Sequence, residues 1–153
     1  MKICQDRMHG YQQALKEHGI TYNEQYVLHS NLIPDPFTFD AGYQAAKVLL
    51  GRMPDVTAIC CVSDAMALGT MKAGRQKGRK VPEELSVTGF DDTFIARLSD
   101  PSLTTLRQPL FEMGQASVSL AHAVLNHQTI DPLHRGFETE LVIRESSVKP
   151  VRG

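Results

Sequence analysis

Hydrophobic residues follow two alternating spacings along the chain, and together these spacings predict an α/β protein. Helical spacing predicts four helices, at residues 6–18, 40–50, 64–77 and 110–125. Short apolar runs predict five strands, at residues 26–29, 56–62, 85–89, 104–106 and 140–144. Helices alternating with strands in this way favour an open, mostly parallel sheet.

The segment VTAICCV at residues 56–62 is a continuous apolar run of β-branched and small residues. Such a run is typical of a strand buried on both faces of a parallel sheet, and it makes Cys60 and Cys61 small buried residues. With Cys4 they form an odd set containing an adjacent pair, which is a poor disulfide framework. We therefore expect a reducing, cytoplasmic location.

Polar residues directly follow two of the predicted strands. Ligands of open α/β sheets bind outside the carboxyl ends of the strands, so Ser63-Asp64 and Phe90-Asp91-Asp92 are the first candidates for a site. Adjacent carboxylates at a strand end usually point apart, which argues against a catalytic dyad. A single Asp at this position suits hydrogen bonding to ligand hydroxyls, and Asp92 is expected to cap the following turn.

Charge and motifs exclude several classes of function. The 16 basic and 17 acidic residues leave a net charge of −1, so no overall field attracts the chain to DNA. No apolar segment approaches the length of a membrane span, and the first residues do not resemble a signal peptide. Neither a nucleophile motif, a phosphate loop nor a histidine pair occurs, so we expect no enzyme activity, no cofactor and no metal.

Five segments in collinear order, between about residues 7 and 148, resemble the LacI/GalR family of bacterial transcription regulators. They are RMHGY at 7–11, FTFDAGY at 37–43, SDAMALG at 63–69, VPEELSVTGFDD at 81–92 and PSLTTLRQP at 101–109. The resemblance implies a doubly wound, mostly parallel sheet of the type I periplasmic-binding-protein kind. Two such lobes would close over a small effector.

Five residues are carried over from that family as ligand contacts. The resemblance implies that Arg7 binds hydroxyls or a charged group through its rigid fork of donors, and that Asp91 accepts from sugar hydroxyls. Ser63 stands where the family often has Asn, so its reach is shorter. Phe37 is expected either to pack on a sugar face or to form a hydrophobic staple. Gln108 lies where the chain crosses between lobes, as a ligand contact or as part of the linker.

Asp64, next to Ser63, is interpreted as the cap of the helix that follows. Residues 1–108 are expected to form a nearly complete C-terminal lobe that lacks its first strand. Residues 109–153 would supply a crossover helix and strand that belong partly to the N-terminal lobe. Strands 26–29 and 56–62 would then face a gap, and the helix from Leu110 would expose an apolar face. We therefore expect a truncated chain that is unstable or oligomeric on its own.

The leading hypothesis is the effector-binding and dimerisation region of a LacI/GalR-type regulator, with a sugar as the effector and a homodimer as the assembly. Operator DNA would be bound only through a headpiece that this chain does not contain. The alternative is a free-standing sugar-binding protein of the periplasmic type, which would need a signal peptide. We expect no membrane partner in either case.

Overall fold

Helices and short strands alternate along residues 2–28, 35–128 and 135–149, the parts of the chain that the computed structural model describes. The helices in this part of the chain are α1 (Lys2–Glu17), α2 (Phe39–Arg52), α3 (Asp64–Gln76), α4 (Phe94–Leu98) and α5 (Leu110–Leu125). The strands are β1 (Ala58–Cys60), β2 (Ser86–Thr88), β3 (Thr105–Arg107) and β4 (Glu140–Val142).

The strands adjoin one another in the order β1, β2, β3, β4. Strands β1 and β2 are parallel, with Ile59 opposite Val87. Parallel bridges from Thr88 to Thr104 and from Asp91 to Arg107 join β2 to β3, and β4 runs antiparallel to β3. The predicted α/β class with a parallel sheet is therefore confirmed, and β4 adds an antiparallel edge.

The core lies between the sheet and the pair α2 and α3, which pack more extensively than any other pair of described elements. Its buried members are Leu50, Ala67, Met71, Leu85, Val87, Ala96 and Leu103. The Thr38 and Ser63 hydroxyls cap α2 and α3, accepting from the amides of Ala41 and Met66. Asp64 is the first residue of α3 and follows the cap, so the predicted cap at this carboxylate is wrong.

Strand β1 is less covered than its sequence predicts. Ala58 and Cys60 are exposed and Ile59 is half-buried, so the prediction of burial on both faces is wrong. The reason is that β1 pairs only with β2 among the described residues, and its other edge carries no strand there.

The strand predicted at residues 26–29 is also not found in the described part. Glu24–Tyr26 form a 3₁₀ turn and residues 27 and 28 are irregular, while His29 lies outside the described residues. Helices α1 and α5 contain no buried residue. No described helix has the length and hydrophobicity needed to cross a membrane.

Candidate ligand-binding site

A cluster of polar side chains forms at the carboxyl ends of β1, β2 and β3, as the topology requires. Arg7 reaches it from α1, donates to the backbone oxygen of Val62 just beyond β1, and lies over the Phe90 ring with 3.6 Å from the guanidinium carbon to the ring centroid. A guanidinium on an aromatic face gains a cation–π attraction, and the contact limits the directions in which its remaining donors point. Arg7 is therefore held against the end of the sheet.

Asp91 occupies the centre of this cluster. Its Oδ1 accepts from the Gln108 side-chain amide at 2.6 Å, and its backbone amide donates to Leu106 at 2.9 Å. Partial burial and the neighbouring Asp64 carboxylate raise the pKa of Asp91, against the opposing effects of the Gln108 hydrogen bond and the Arg7 charge. The structure thus brings Arg7, Asp91 and Gln108 together.

Ser63 and Phe37 meet at the neighbouring strand end. The Ser63 hydroxyl donates to the Phe37 backbone oxygen at 3.1 Å and accepts from the Met66 amide at 3.2 Å, so it is engaged on both sides within the chain. Phe37 precedes the cap of α2, and the residue it would meet in a hydrophobic staple is Gly42. Because glycine offers no side chain, the staple interpretation of Phe37 gains no support.

Asp92 points away from Asp91 and into an ion-pair network. Its side chain is only 5% exposed and binds Arg107 at 2.7 Å and Arg144 at 2.5 Å. Burial alone would raise its pKa, but the hydrogen bonds and charges of the two guanidinium groups outweigh burial and lower it. The prediction that Asp92 caps the next turn is wrong, since its carboxylate bonds these arginines and Thr93 opens α4 without a side-chain cap bond.

Consecutive residues of the loop after β2 therefore bind consecutive residues at the end of β3. Asp91 binds Gln108 and Asp92 binds Arg107, and from there the chain leads into α5. The position of Asp91 after a predicted strand and the motif that contains Gln108 made these two residues candidates, but neither signal pointed to Arg107 or Arg144. The one available signal for Arg107 was its position directly before Gln108.

The cluster has the chemistry of a binding site. Guanidinium and amide donors beside a carboxylate acceptor suit a ligand rich in hydroxyls. Within the described ranges, no three His, Cys, Asp or Glu side chains are grouped so that they could hold a metal ion.

A second feature is an apolar surface on α4, formed by Phe94, Ile95 and Leu98, which we call the α4 surface. Phe94 is 68% exposed and Leu98 is 65% exposed. Beside it lies an open groove of about 520 Å³, lined by Phe39, Leu68, Met71, Lys72, Arg75, Gln76, Ser99 and Asp100. Exposed apolar side chains next to an open groove are typical of interaction surfaces.

The chain matches known proteins over nearly its whole length. A family model described as the periplasmic binding protein-like domain matches residues 2–147. The HTH-type transcriptional repressor CytR of Escherichia coli K12 is 38% identical over 147 residues, covering 96% of this chain and 42% of the relative. The HTH-type transcriptional regulator CelR of Thermobifida fusca is 36% identical over 141 residues, covering 92% of this chain and 40% of that protein.

Solved structures of transcription regulators also align with this chain. The transcriptional regulator CelR in complex with cellobiose aligns with a TM-score of 0.84 and 36% identity, over 92% of this chain and 41% of that one. A LacI-type transcription regulator from Bifidobacterium animalis subsp. lactis aligns with a TM-score of 0.87 and 28% identity, over 96% of this chain and 51% of that one. The resemblance to LacI/GalR regulators is confirmed, and the chain spans about two fifths of the length of these curated relatives.

Proposed function

We propose a function from one premise: this chain belongs to the periplasmic binding protein-like domain family. It is the effector-binding and dimerisation region of a LacI/GalR-type transcription regulator, and its effector is a sugar. Residues 1–108 form the C-terminal lobe, and residues 109–153 supply a crossover helix and strand that belong partly to the other lobe. The observation that carries the proposal is the cluster of Arg7, Asp91 and Gln108 at the carboxyl ends of the strands.

Sugar recognition follows from the donors and acceptors of this cluster. The Asp91 carboxylate accepts from hydroxyl groups, and the Arg7 guanidinium donates to hydroxyl oxygens in a fixed plane. Two relatives of solved structure support the class of ligand, because one is described in complex with cellobiose and another, a LacI family regulator, in complex with lactose. Operator DNA is a partner of the whole regulator through a headpiece outside residues 1–153, and the cytoplasm is its location.

A ligand hydroxyl replaces the Gln108 amide on Asp91 in this proposal. Gln108 now holds Asp91 Oδ1 at 2.6 Å, which is the contact that an incoming hydroxyl would take. The freed amide can then bind a ligand oxygen or turn toward the crossover into α5. Ligand occupancy is thereby connected to the segment that leads toward the other lobe.

Nuclear magnetic resonance titration tests sugar binding even when affinity is weak. Cellobiose, lactose and a nucleoside such as uridine are added to the ¹⁵N-labelled chain. We expect saturable shifts of the Gln108 side-chain amide with at least one sugar, and their loss in the Asp91→Ala variant. Asp55→Asn is the matched control, because Asp55 is an exposed carboxylate before β1, at the opposite end of the strands.

Two outcomes would contradict sugar binding. One is the absence of any saturable shift with either sugar while the nucleoside binds, which would change the ligand class. The other is sugar binding that survives Asp91→Ala undiminished, which would move the site away from this cluster.

Dimerisation is assigned to the α4 surface. Its exposed apolar side chains fit the neighbouring groove of a second copy, since Leu68 and Met71 give that groove an apolar floor. A twofold axis lets the same α4 surface and groove serve both copies. The assembly is measured by sedimentation velocity, where Leu98→Glu is expected to give monomers. Leu125→Glu on the exposed face of α5 is the comparison, and monomers from that variant alone would place the interface on α5 instead.

A further inference from the structure

We propose that Asp64 is a positioning residue that holds the loop of residues 90–93, here called the aspartate loop, in the backbone conformation that presents Asp91. The inference rests on the proposed function, in which Asp91 contacts the ligand. Asp64 itself is fully buried and does not reach a ligand.

The aspartate loop has a strained backbone. Asp91 has a φ of 122° and Asp92 a φ of 55°, and both lie in regions that L-residues other than glycine rarely occupy. Two consecutive residues of this kind persist only when surrounding contacts leave the chain no alternative. Some of these contacts are made by Asp91 and Asp92 themselves, with Gln108 and the two arginines described above, and the others lie at the ends of the loop.

Asp64 forms hydrogen bonds with both ends of the aspartate loop. Its backbone amide donates to the Phe90 oxygen at 2.9 Å. Its carboxylate Oδ2 accepts from the Thr93 amide at 2.7 Å and from the Thr93 hydroxyl at 2.9 Å. One residue thus fixes the separation of the loop ends, and Phe90 at the first of them also supports the Arg7 guanidinium.

Asp64 is in turn anchored by the core. Its Oδ1 accepts from the Thr105 hydroxyl on β3 at 2.6 Å, and its backbone begins α3. A Cβ added to Gly89 would lie 2.4 Å from this same Oδ1, so the glycine provides the space that the carboxylate occupies. A negative charge in the first turn of α3 is also favourable toward the helix dipole. Asp64 therefore links α3, β3 and the aspartate loop.

The test follows the loop directly, without a ligand. In ¹H–¹⁵N spectra of the full chain, the Gln108 side-chain amide reports its bond to Asp91, and the Asp91 and Asp92 amides report the loop. We expect Asp64→Ala to move all three signals, and Asp64→Asn to move them less because one oxygen acceptor remains. Signals of Ile59 and Val87 in the paired strands should keep their positions, and Asp55→Asn should change none of these signals.

A second pair of variants covers the case in which Asp64 substitutions do not fold. Thr93 is exposed, so Thr93→Val removes the hydroxyl bond to Asp64 without opening the core. We expect it to move the same three signals by a smaller amount, and Thr93→Ser to restore them. Unchanged loop signals in the folded Asp64→Ala chain, or in Thr93→Val, overturn the proposal.

Titration with cellobiose or lactose separates this inference from the proposed function. If the unaltered chain binds a sugar, Asp64→Asn is expected to weaken that binding about tenfold, as for residues that orient metal ligands elsewhere. Equal affinity in Asp64→Asn would overturn positioning while leaving sugar binding intact. If the unaltered chain binds no sugar but the loop signals move as expected, the proposed function fails and the positioning role stands.

Discussion

Replacing Gly69 by alanine tests the packing that places Phe37 and Ser63 side by side. Gly69 lies on α3 at a close contact with α2. A Cβ at this position would lie 2.0 Å from the Phe39 backbone oxygen and 2.7 Å from the Tyr43 backbone nitrogen. Both atoms belong to a helix backbone, so neither can rotate away. The two helices must separate by about 1 Å for the methyl group to fit.

Two opposing terms set the size of the effect. Alanine is favoured over glycine inside a helix by about 1 kcal/mol. Overpacking a close contact typically costs about 1–3 kcal/mol, and the cost falls at the upper end or beyond when only backbone can yield. Separation of α2 from α3 also loosens the packing of Ala67 and Met71, which α3 contributes to the core. We expect Gly69→Ala to lower the free energy of unfolding by about 2 kcal/mol.

Urea unfolding followed by circular dichroism measures this change. The matched control is Gly10→Ala on α1, because a Cβ there would meet nothing within 4 Å. This variant should gain up to about 1 kcal/mol from helix propensity alone. The reasoning is refuted if Gly69→Ala unfolds at the same urea concentration as the unaltered chain, or if Gly10→Ala loses as much stability.

Three further outcomes are expected. At about pH 8, a thiol reagent should label exposed Cys60 in the folded chain and leave Cys61 intact. Burial raises the pKa of Cys61 to about 12, and only the thiolate reacts. Peptide mapping that finds both cysteines equally labelled would contradict this prediction. Arg144→Met should cost about 2 kcal/mol at neutral pH, because it removes one charged hydrogen bond from the Asp92 carboxylate while the bond from Arg107 remains. Because the pKa of Asp92 is lowered in the folded chain, this ion pair stabilises the fold at pH values above the unfolded-state pKa of Asp92 and stops doing so as the pH falls. The unfolding curves of the two proteins should therefore converge in acid. A difference that stays constant with pH would exclude the ion pair as the cause. The pKa of Asp91 is raised, so its carboxylate gains a proton at a higher pH than an ordinary Asp. Sugar affinity measured by titration should therefore fall as the pH is lowered, and the fall should begin at a higher pH than an ordinary Asp would give; a pH dependence that persists in Asp91→Asn would assign it to another group.

The features that could be predicted from the sequence follow from rules acting over short stretches or on the whole sheet. Periodicity predicted the bounds of α2, α3 and α5 closely. In α2 and α3 the apolar spacing matches the core that these helices face, whereas α5 keeps its helical spacing without burying a residue. The rule that ligands bind at carboxyl ends of strands singled out Asp91, and the motifs added Arg7 and Gln108. The structure brings these three side chains together.

The features that could not be predicted depend on contacts between distant parts of the chain. Asp64 accepts from Thr105, 41 positions away, and Asp92 pairs with Arg144, 52 positions away. Local rules rank Asp highly as a cap, and they therefore misassigned both carboxylates. In the folded chain Ser63 already caps α3, and two guanidinium groups bind Asp92 more strongly than a turn amide does.

The uneven covering of β1 has a consequence for the candidate site. The apolar run around β1 is suited to burial on both faces, yet Cys60 is exposed and α1 beside it has no buried residue. The bond from Arg7 to the Val62 oxygen shows that α1 lies against the end of this strand without being enclosed by it. Arg7 is therefore carried by α1, a helix with no buried residue, whereas Asp91 is held by contacts that lead to the core. Its bond to Val62 and its stacking on Phe90 must provide the rigidity that burial of α1 does not, and both contacts lead back to the strand ends and loop that Asp64 holds.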